Sequence, residues 1–215
     1  MVDVKLTRRA LLGEEEKPRP IILDILIIFL LVFMIANITI QSVWLAPVKV
    51  SGDSMNVTLN DGDWLVMSKI KEIERGDVVV FAINEKVNYI KRVIALEGDE
   101  LYGDSEGIHL KKKGETEWVI ISDEHAYYKQ PQSVGSKPTT YTVIPLTVVG
   151  KGEMFVLGDN RNDSTDSRDK SVGLVKTSSV LGVVPEWAIK HRAKYSGYLR
   201  FVEKVSDWLG KVFNK

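Results

Sequence analysis

The chain has no cysteine and, among 215 residues, only three histidines, His109, His125 and His191. Without cysteine there is no thiol nucleophile, no disulfide and no thiolate metal site, and the chain suits any redox compartment. None of the histidines lies near an Asp/Glu pattern with ligand spacing, so neither a zinc site nor any other metal or cofactor is expected. An excess of charge is missing too. Lys and Arg number 29, Asp and Glu number 29, and the formal net charge is zero, so no global field points to nucleic acid. There is no internal repeat and no low-complexity stretch. The length allows one sizeable domain plus an anchor, and is short for two full domains.

The chain does contain one long apolar run, from Ile21 to Ile40, broken by Asp24 near one end and by Asn37 and Thr39 near the other. A bilayer core takes about 20 residues of helix. A cleaved leader also begins basic and turns apolar, but its apolar core is only ~7–15 residues and ends at a small-x-small site. No such site follows here. A buried core helix would have a polar face. Residues 21–45 therefore read as a transmembrane anchor, with Trp44 in the interfacial belt and Pro47 ending the helix. Lys5, Arg8, Arg9, Lys17 and Arg19 precede the run and only Lys49 follows it closely. The positive-inside rule places residues 1–20 in the cytoplasm and everything after Pro47 outside.

Beyond Pro47, short β-branched runs alternate with Gly/Asp turns. Trp64 to Met67, Val78 to Phe81, Tyr89 to Leu96, Trp118 to Ile121, Tyr141 to Ile144, Met154 to Leu157 and Val180 to Val184 are the expected strands. The fold class is mainly β: a coiled antiparallel β-sheet domain over residues 46–190. Residues 100–150 form an insertion, with a hairpin at Gly103 to Gly114 and a loose excursion at His125 to Thr140. Residues 191–215 end the chain as an amphipathic helix. Tyr198 to Phe213 gathers Phe201, Val202, Val205, Leu209, Val212 and Phe213 near one face, suited to a membrane interface or to the protein's own sheet.

Two polar loops and one lysine carry the chemistry. Gly158 to Arg168 is dense in small and charged residues directly after Met154 to Leu157, and Ser51-Gly52-Asp53-Ser54-Met55 follows another hydrophobic segment. Asn, Asp and Ser side chains compete with regular backbone pairing, so both are loops. Lys91 lies inside an apolar strand, on one face with Tyr89 and Val93, while Ile90 and Arg92 take the other. Alone, a strand lysine is commonly a snorkelling surface residue and a Ser-Gly-Asp-Ser loop a plain turn. Together they suggest a hydrolase that works without histidine. A serine hydroxyl needs a base to take its proton, and desolvation drives a lysine towards its neutral amine. To serve at neutral pH its pKa must fall from ~10.4 to roughly 7–8.

The order and spacing of these segments resemble the bacterial type I signal peptidase family. The resemblance covers Ile21 to about Val184. It rests on the amino-terminal anchor, Ser51 to Leu59, Arg75-Gly76-Asp77-Val78-Val79, Tyr89-Ile90-Lys91-Arg92-Val93, and the Gly158 to Arg168 run. The first box departs from the family at Val57, where proline is usual. The resemblance implies that Ser54 is the nucleophile and Lys91 the general base of a Ser-Lys dyad. It implies that Ser164 hydrogen-bonds and aims the Lys91 amine, and that Asp166 and Arg168 form an ion pair fixing the loop. The backbone N–H of Ser54 would be one oxyanion donor. Some members add a hydroxyl where this chain has Gly52, so a second donor would be a backbone group or water.

The implied function is a membrane-anchored serine endopeptidase, monomeric, that removes amino-terminal signal peptides from secretory preproteins through an acyl-enzyme. The substrate would add a strand along Val48 to Ser54 and Asn88 to Lys91. Pockets lined by Val50, Met55, Leu59, Tyr89 and Ile90 would admit small residues at the first and third positions before the cut. The expected partners are preproteins and the phospholipid membrane, and the expected location is the cell membrane, single-pass, with the catalytic domain extracytoplasmic. A self-cleaving repressor of the related Ser-Lys class would carry a DNA-binding domain in place of the span. A membrane adaptor would give no reason for Ser54, Lys91 and the Ser164 loop to coincide.

Overall fold

Short β-branched runs cut by Gly and Asp turns favour strands over helices, and this governs the chain after Val43. The computed structural model describes residues 21–122, 124–128 and 143–193, together with 196, 197, 200 and 204. The chain divides into two units between Ser42 and Val43.

The described residues of the first unit lie in a helix, α1 (Ile21–Val43), of 23 residues, whose last residue falls just past the boundary. At 1.5 Å per residue it rises about 34 Å, and its Ile21–Thr39 stretch has a mean hydropathy of 3.0. It is long and apolar enough to cross a bilayer. Two of its polar residues do not leave their donors stranded. Asn37 Nδ2 donates to the Phe33 carbonyl (3.0 Å) and Thr39 Oγ1 to that of Ile35 (2.9 Å), each one turn back. The helix ends four residues before Pro47, so the proline does not terminate it. Instead Pro47 lies in the first strand.

The second unit has eleven strands among the described residues. They are β1 (Leu45–Lys49), β2 (Trp64–Ser68), β3 (Val78–Ala82), β4 (Asn88–Leu96), β5 (Glu100–Gly103), β6 (Ile108–Lys111), β7 (Val119–Ile120), β8 (Ile144–Val148), β9 (Glu153–Leu157), β10 (Val175–Lys176) and β11 (Val180–Val184). A seven-stranded sheet has the order β1-β2-β11-β3-β4-β9-β10, and a four-stranded sheet the order β7-β6-β5-β8. All pairings within them are antiparallel. β1 is an edge strand, where a proline's missing N–H breaks no ladder.

Alternation along the strands builds the core on both faces of the larger sheet. Val78, Val80 and Ile90 pack with Val50, Met55, Leu59 and Leu65 on one face. Val79, Phe81 and Val93 pack with Met154, Val156 and Val183 on the other. Ile94, Leu101, Leu110 and Phe155 join the two sheets. Each such side chain, fully buried, contributes about 1.5–3 kcal/mol.

Several expectations shift. The strand expected at Trp118 to Ile121 shrinks to Val119–Ile120, and that expected at Tyr141 to Ile144 becomes Ile144–Val148, with Tyr141 and Thr142 outside the described residues. The hairpin placed at Gly103 to Gly114 is β5–β6, which pairs Glu100 with Lys111. A short helix, α2 (Glu186–Lys190), follows β11 and buries Ala188. Most of the excursion at His125 to Thr140 lies outside the described residues. So does most of the amphipathic helix at 191–215.

Candidate active site

Ser54 stands at the head of a loop whose neighbours are pinned on both sides. Val50 N donates to the Asp63 carbonyl (2.8 Å) and Gly62 N to that of Val50 (3.0 Å), closing the loop at its base. Gly52 adopts φ +87°, a backbone conformation that side-chain-bearing residues avoid, and its N–H donates to Asp61 Oδ1 (2.8 Å). Met55 and Leu59 are fully buried and Val50 nearly so. They anchor the loop from beneath and leave Ser54 half-exposed. These three residues therefore belong to the core beneath the loop. Of the five expected pocket residues, only Tyr89 and Ile90 line the groove beside Ser54.

Lys91 comes from the middle of β4. Its strand pairs with β3 from Asn88 to Arg92 and with β9 from Arg92 onwards. Lys91 is 3% exposed, yet its amine reaches the loop. Nζ donates to Ser54 Oγ at 2.6 Å and to the Ile90 carbonyl at 3.0 Å, and it sits 5.2 Å from the centre of the Tyr89 ring. Burial pushes its pKa down from 10.5 to about 8, with Asp166 and Asp159 pulling partly the other way. Desolvation wins because neither carboxylate hydrogen-bonds the amine.

A second loop, running on from β9, clamps the first. Asn160 N donates to the Ser54 carbonyl (3.0 Å) and Asn160 Nδ2 to that of Asp53 (3.0 Å). Gly158 is required by space: a Cβ there would collide with Ser164 Oγ and with the Ser54 carbonyl oxygen. Asp166 is wholly buried and binds Arg168 at two points, Nε to Oδ1 and Nη2 to Oδ2, both 2.8 Å. Its Oδ2 also accepts the Gly158 N–H (3.0 Å), so one carboxylate ties the start of the loop to its end. Burial alone would raise the Asp166 pKa, but Arg168 and the Gly158 N–H outweigh it and hold the carboxyl below its ordinary value.

Ser164 does not make the expected hydrogen bond to Lys91. Its Oγ is buried without a hydrogen-bond partner, packed against Gly158. It also helps to hold the Asp166 carboxyl below its ordinary pKa. The Lys91 amine is instead held by Ser54 and by its own strand's carbonyl. The Ser54 N–H donates to no acceptor among the described residues.

Sequence reasoning missed three residues that hold the site together. Arg92 Nε and Nη2 donate to Asp159 Oδ1 (2.8 Å) and Oδ2 (2.6 Å), and Arg92 Nη1 donates to the Gly76 carbonyl (2.7 Å). Asn160 is the third. The available signal was Arg92 itself, a cation in an apolar strand, with an acid needed somewhere to meet it. Among the described residues, no group of three or more His, Asp or Glu side chains converges as a metal site would.

A groove of about 600 Å³ opens over Ser54 and Lys91, flanked by Pro47 to Lys49 on one side and Asn88 to Ile90 on the other. A hydroxyl hydrogen-bonded to a buried amine of lowered pKa, at the floor of a cleft between strand edges, is equipped for acyl transfer. Residues 22–187 match the family model described as signal peptidase, peptidase S26. The chain belongs to the signal peptidase family. It is 32% identical over 158 residues to signal peptidase I of Bacillus licheniformis, covering 71% of this chain and 81% of that one. It is 30% identical over 174 residues to signal peptidase IB of Staphylococcus aureus, covering 76% and 85%. A signal peptidase I structure from Enterococcus faecalis V583 matches at 29% identity and a TM-score of 0.43, over 54% of this chain and 99% of that one. The fold is mainly antiparallel β with one apolar amino-terminal helix, and this signal peptidase is a hydrolase.

Proposed function

We propose that this protein is a membrane-anchored endopeptidase that cuts signal peptides from exported preproteins, with Ser54 as nucleophile and Lys91 as general base. The observation that carries this reading is the 2.6 Å contact between Lys91 Nζ and Ser54 Oγ at an amine whose pKa burial brings down to about 8. Once neutral, the amine accepts the hydroxyl proton instead of donating to it. Ser54 Oγ then attacks the scissile carbonyl, and the protonated Lys91 hands its proton to the leaving amine. A water deprotonated by Lys91 hydrolyses the acyl-enzyme. The Ser54 N–H, having no other acceptor among the described residues, is the proposed oxyanion donor. One such donor is typically worth ~2.7–4 kcal/mol.

The substrate is taken as an extended strand. Among the described residues β1 pairs only with β2, and Asn88 to Lys91 pair only with β3, so two strand edges at the groove have a side outside the ladder. A peptide between them would alternate its side chains, which suits small residues at the first and third positions before the cut. Asp166 with Arg168, and Ser164 packed on Gly158, are positioning residues that act by holding the loop against Ser54. The helix α1 would hold the site at the membrane, with residues 1–20 cytoplasmic and the β domain outside. A substrate anchored by its own apolar segment then meets an enzyme at high effective concentration.

The test is cleavage of a preprotein by detergent-solubilised full-length chain, with the cut mapped by mass spectrometry. Cleavage after a small-x-small sequence, lost in Ser54→Ala and in Lys91→Ala while circular dichroism is unchanged, supports the reading. Undiminished turnover by Lys91→Ala overturns the mechanism.

A further inference from the structure

The groove carries an uneven distribution of charge. Asp53, immediately before the Ser54 nucleophile, and Asp163, immediately before Ser164, both line it together with the dyad. Both carboxylates are exposed. Neither is in an ion pair with another described residue, and Asp53 only accepts a hydrogen bond from Asn56 Nδ2 (3.2 Å). The cation lining the groove apart from Lys91 is Lys49, on β1 and 5.6 Å from the Trp64 ring. The dyad is thus bordered by two exposed carboxylates, neither held in an ion pair by a described residue.

We propose that Asp163, assisted by Asp53, sets a charge preference for the residues flanking the scissile bond, favouring lysine or arginine and disfavouring aspartate or glutamate. The inference deepens the reading of the groove as the peptide site and rests on it. An extended peptide turns alternate side chains away from the floor. The pockets that demand small residues therefore leave the position between them, and those just after the cut, to face the rim. Asp53 and Asp163 stand on that rim. Two loops bring them there: Asn160 ties the Asp53–Ser54 backbone to the loop that carries Asp163. Opposite charge on the substrate is drawn in, and like charge is repelled, which is selection as much by exclusion as by attraction. Because both carboxylates are exposed, the preference falls as salt screens them.

The experiment uses the full-length, detergent-solubilised protein and three fluorogenic peptides with one small-x-small site. They carry Lys, Gln or Glu at the position two before the cut, with parallel sets at the first and second positions after it. In at least one set, kcat/KM for the Lys peptide should exceed that for the Glu peptide by about two- to fivefold at low salt, the size expected for one exposed charge pair. The ratio should move towards one at high salt. Asp163→Asn should lower the ratio, and Asp163→Lys should invert it. Equal rates for Lys and Glu peptides in all three sets overturn the inference. So does a preference that Asp163→Asn and Asp163→Lys leave unchanged. Failure of every peptide and of a preprotein to be cut overturns the underlying reading of the groove instead.

Discussion

Arg92 and Asp159 form a two-point ion pair inside the protein, with hydrogen bonds of 2.8 and 2.6 Å. Arg92 is the residue after Lys91 on β4, and Asp159 is the residue before Asn160, which holds the Ser54 carbonyl. One pair therefore links the strand that presents Lys91 to the loop that steadies Ser54. Breaking it by Arg92→Ala leaves Asp159, which is 0% exposed, as a buried charge without its partner. Such removals destabilise by about 3–5 kcal/mol. Urea unfolding should register that loss, and Arg92→Lys should restore only part of it, because an ammonium cannot match the two-point geometry.

The rate of peptide cleavage should follow the ionisation of Lys91. With a pKa of about 8, about a tenth of the enzyme holds a neutral amine at pH 7. On the acid side, kcat/KM should rise about tenfold per pH unit and level off above about pH 8. A pH profile measured on a neutral peptide checks this. A plateau reached already at pH 6 would contradict the proposed base.

The same group makes an opposite-signed contribution to stability from that of a salt-bridged carboxylate. The folded state binds the Lys91 proton less tightly than the unfolded chain, so below about pH 8 both states hold it and the folded state bears the burial penalty. That penalty is relieved as pH rises from about 8 towards the unfolded value of 10.5. Lys91→Met should be the more stable protein at pH 7 and should lose this rise. Thermal melts across that range would test both points.

Gly158→Ala introduces one methyl group where a backbone oxygen and a hydroxyl already stand. Neither the Ser54 carbonyl, held by Asn160, nor the packed Ser164 can move away without shifting the nucleophile. Overpacking of this kind costs about 1–3 kcal/mol, and misplacing reacting groups by about 1 Å can cost about 100-fold in rate. The variant should still fold, by circular dichroism, while kcat falls steeply.

Asp166→Asn should separate acid stability from chemistry. The Asp166 carboxyl titrates below its ordinary value, so the stability it brings is complete above that ordinary value, 3.8, and is lost as pH falls through the lower, folded one. The variant lacks that contribution at every pH. It should unfold in less urea at pH 7 and have a shallower acid limb than the parent, by titration of unfolding midpoints.

Much of this arrangement was readable from residue patterns. Strand periodicity placed Lys91 on the same face as Tyr89 and Val93, and the two polar loops stood out by composition alone. What escaped was how deeply the loop's own apolar residues are buried. Val50, Met55 and Leu59 lie close to Ser54 in the chain, and nothing in their order says that they turn inward while Ser54 turns out. That is decided by the loop closure between Val50, Gly62 and Asp63. Ser164 was misread for a related reason: a hydroxyl beside the right neighbours can still point into packed space. The Arg92–Asp159 pair joins residues 67 apart, a long-range meeting that no local pattern encodes. Pro47 read as a helix stop, when an edge strand tolerates proline equally well.

An open border able to receive a passing polypeptide could also glue copies of the enzyme into stacks. Pro47 offers no amide hydrogen there, and Lys49 adds a like charge to every neighbour that approaches. Only a brief stretch of β1 is left adhesive, too little for runaway self-association between copies.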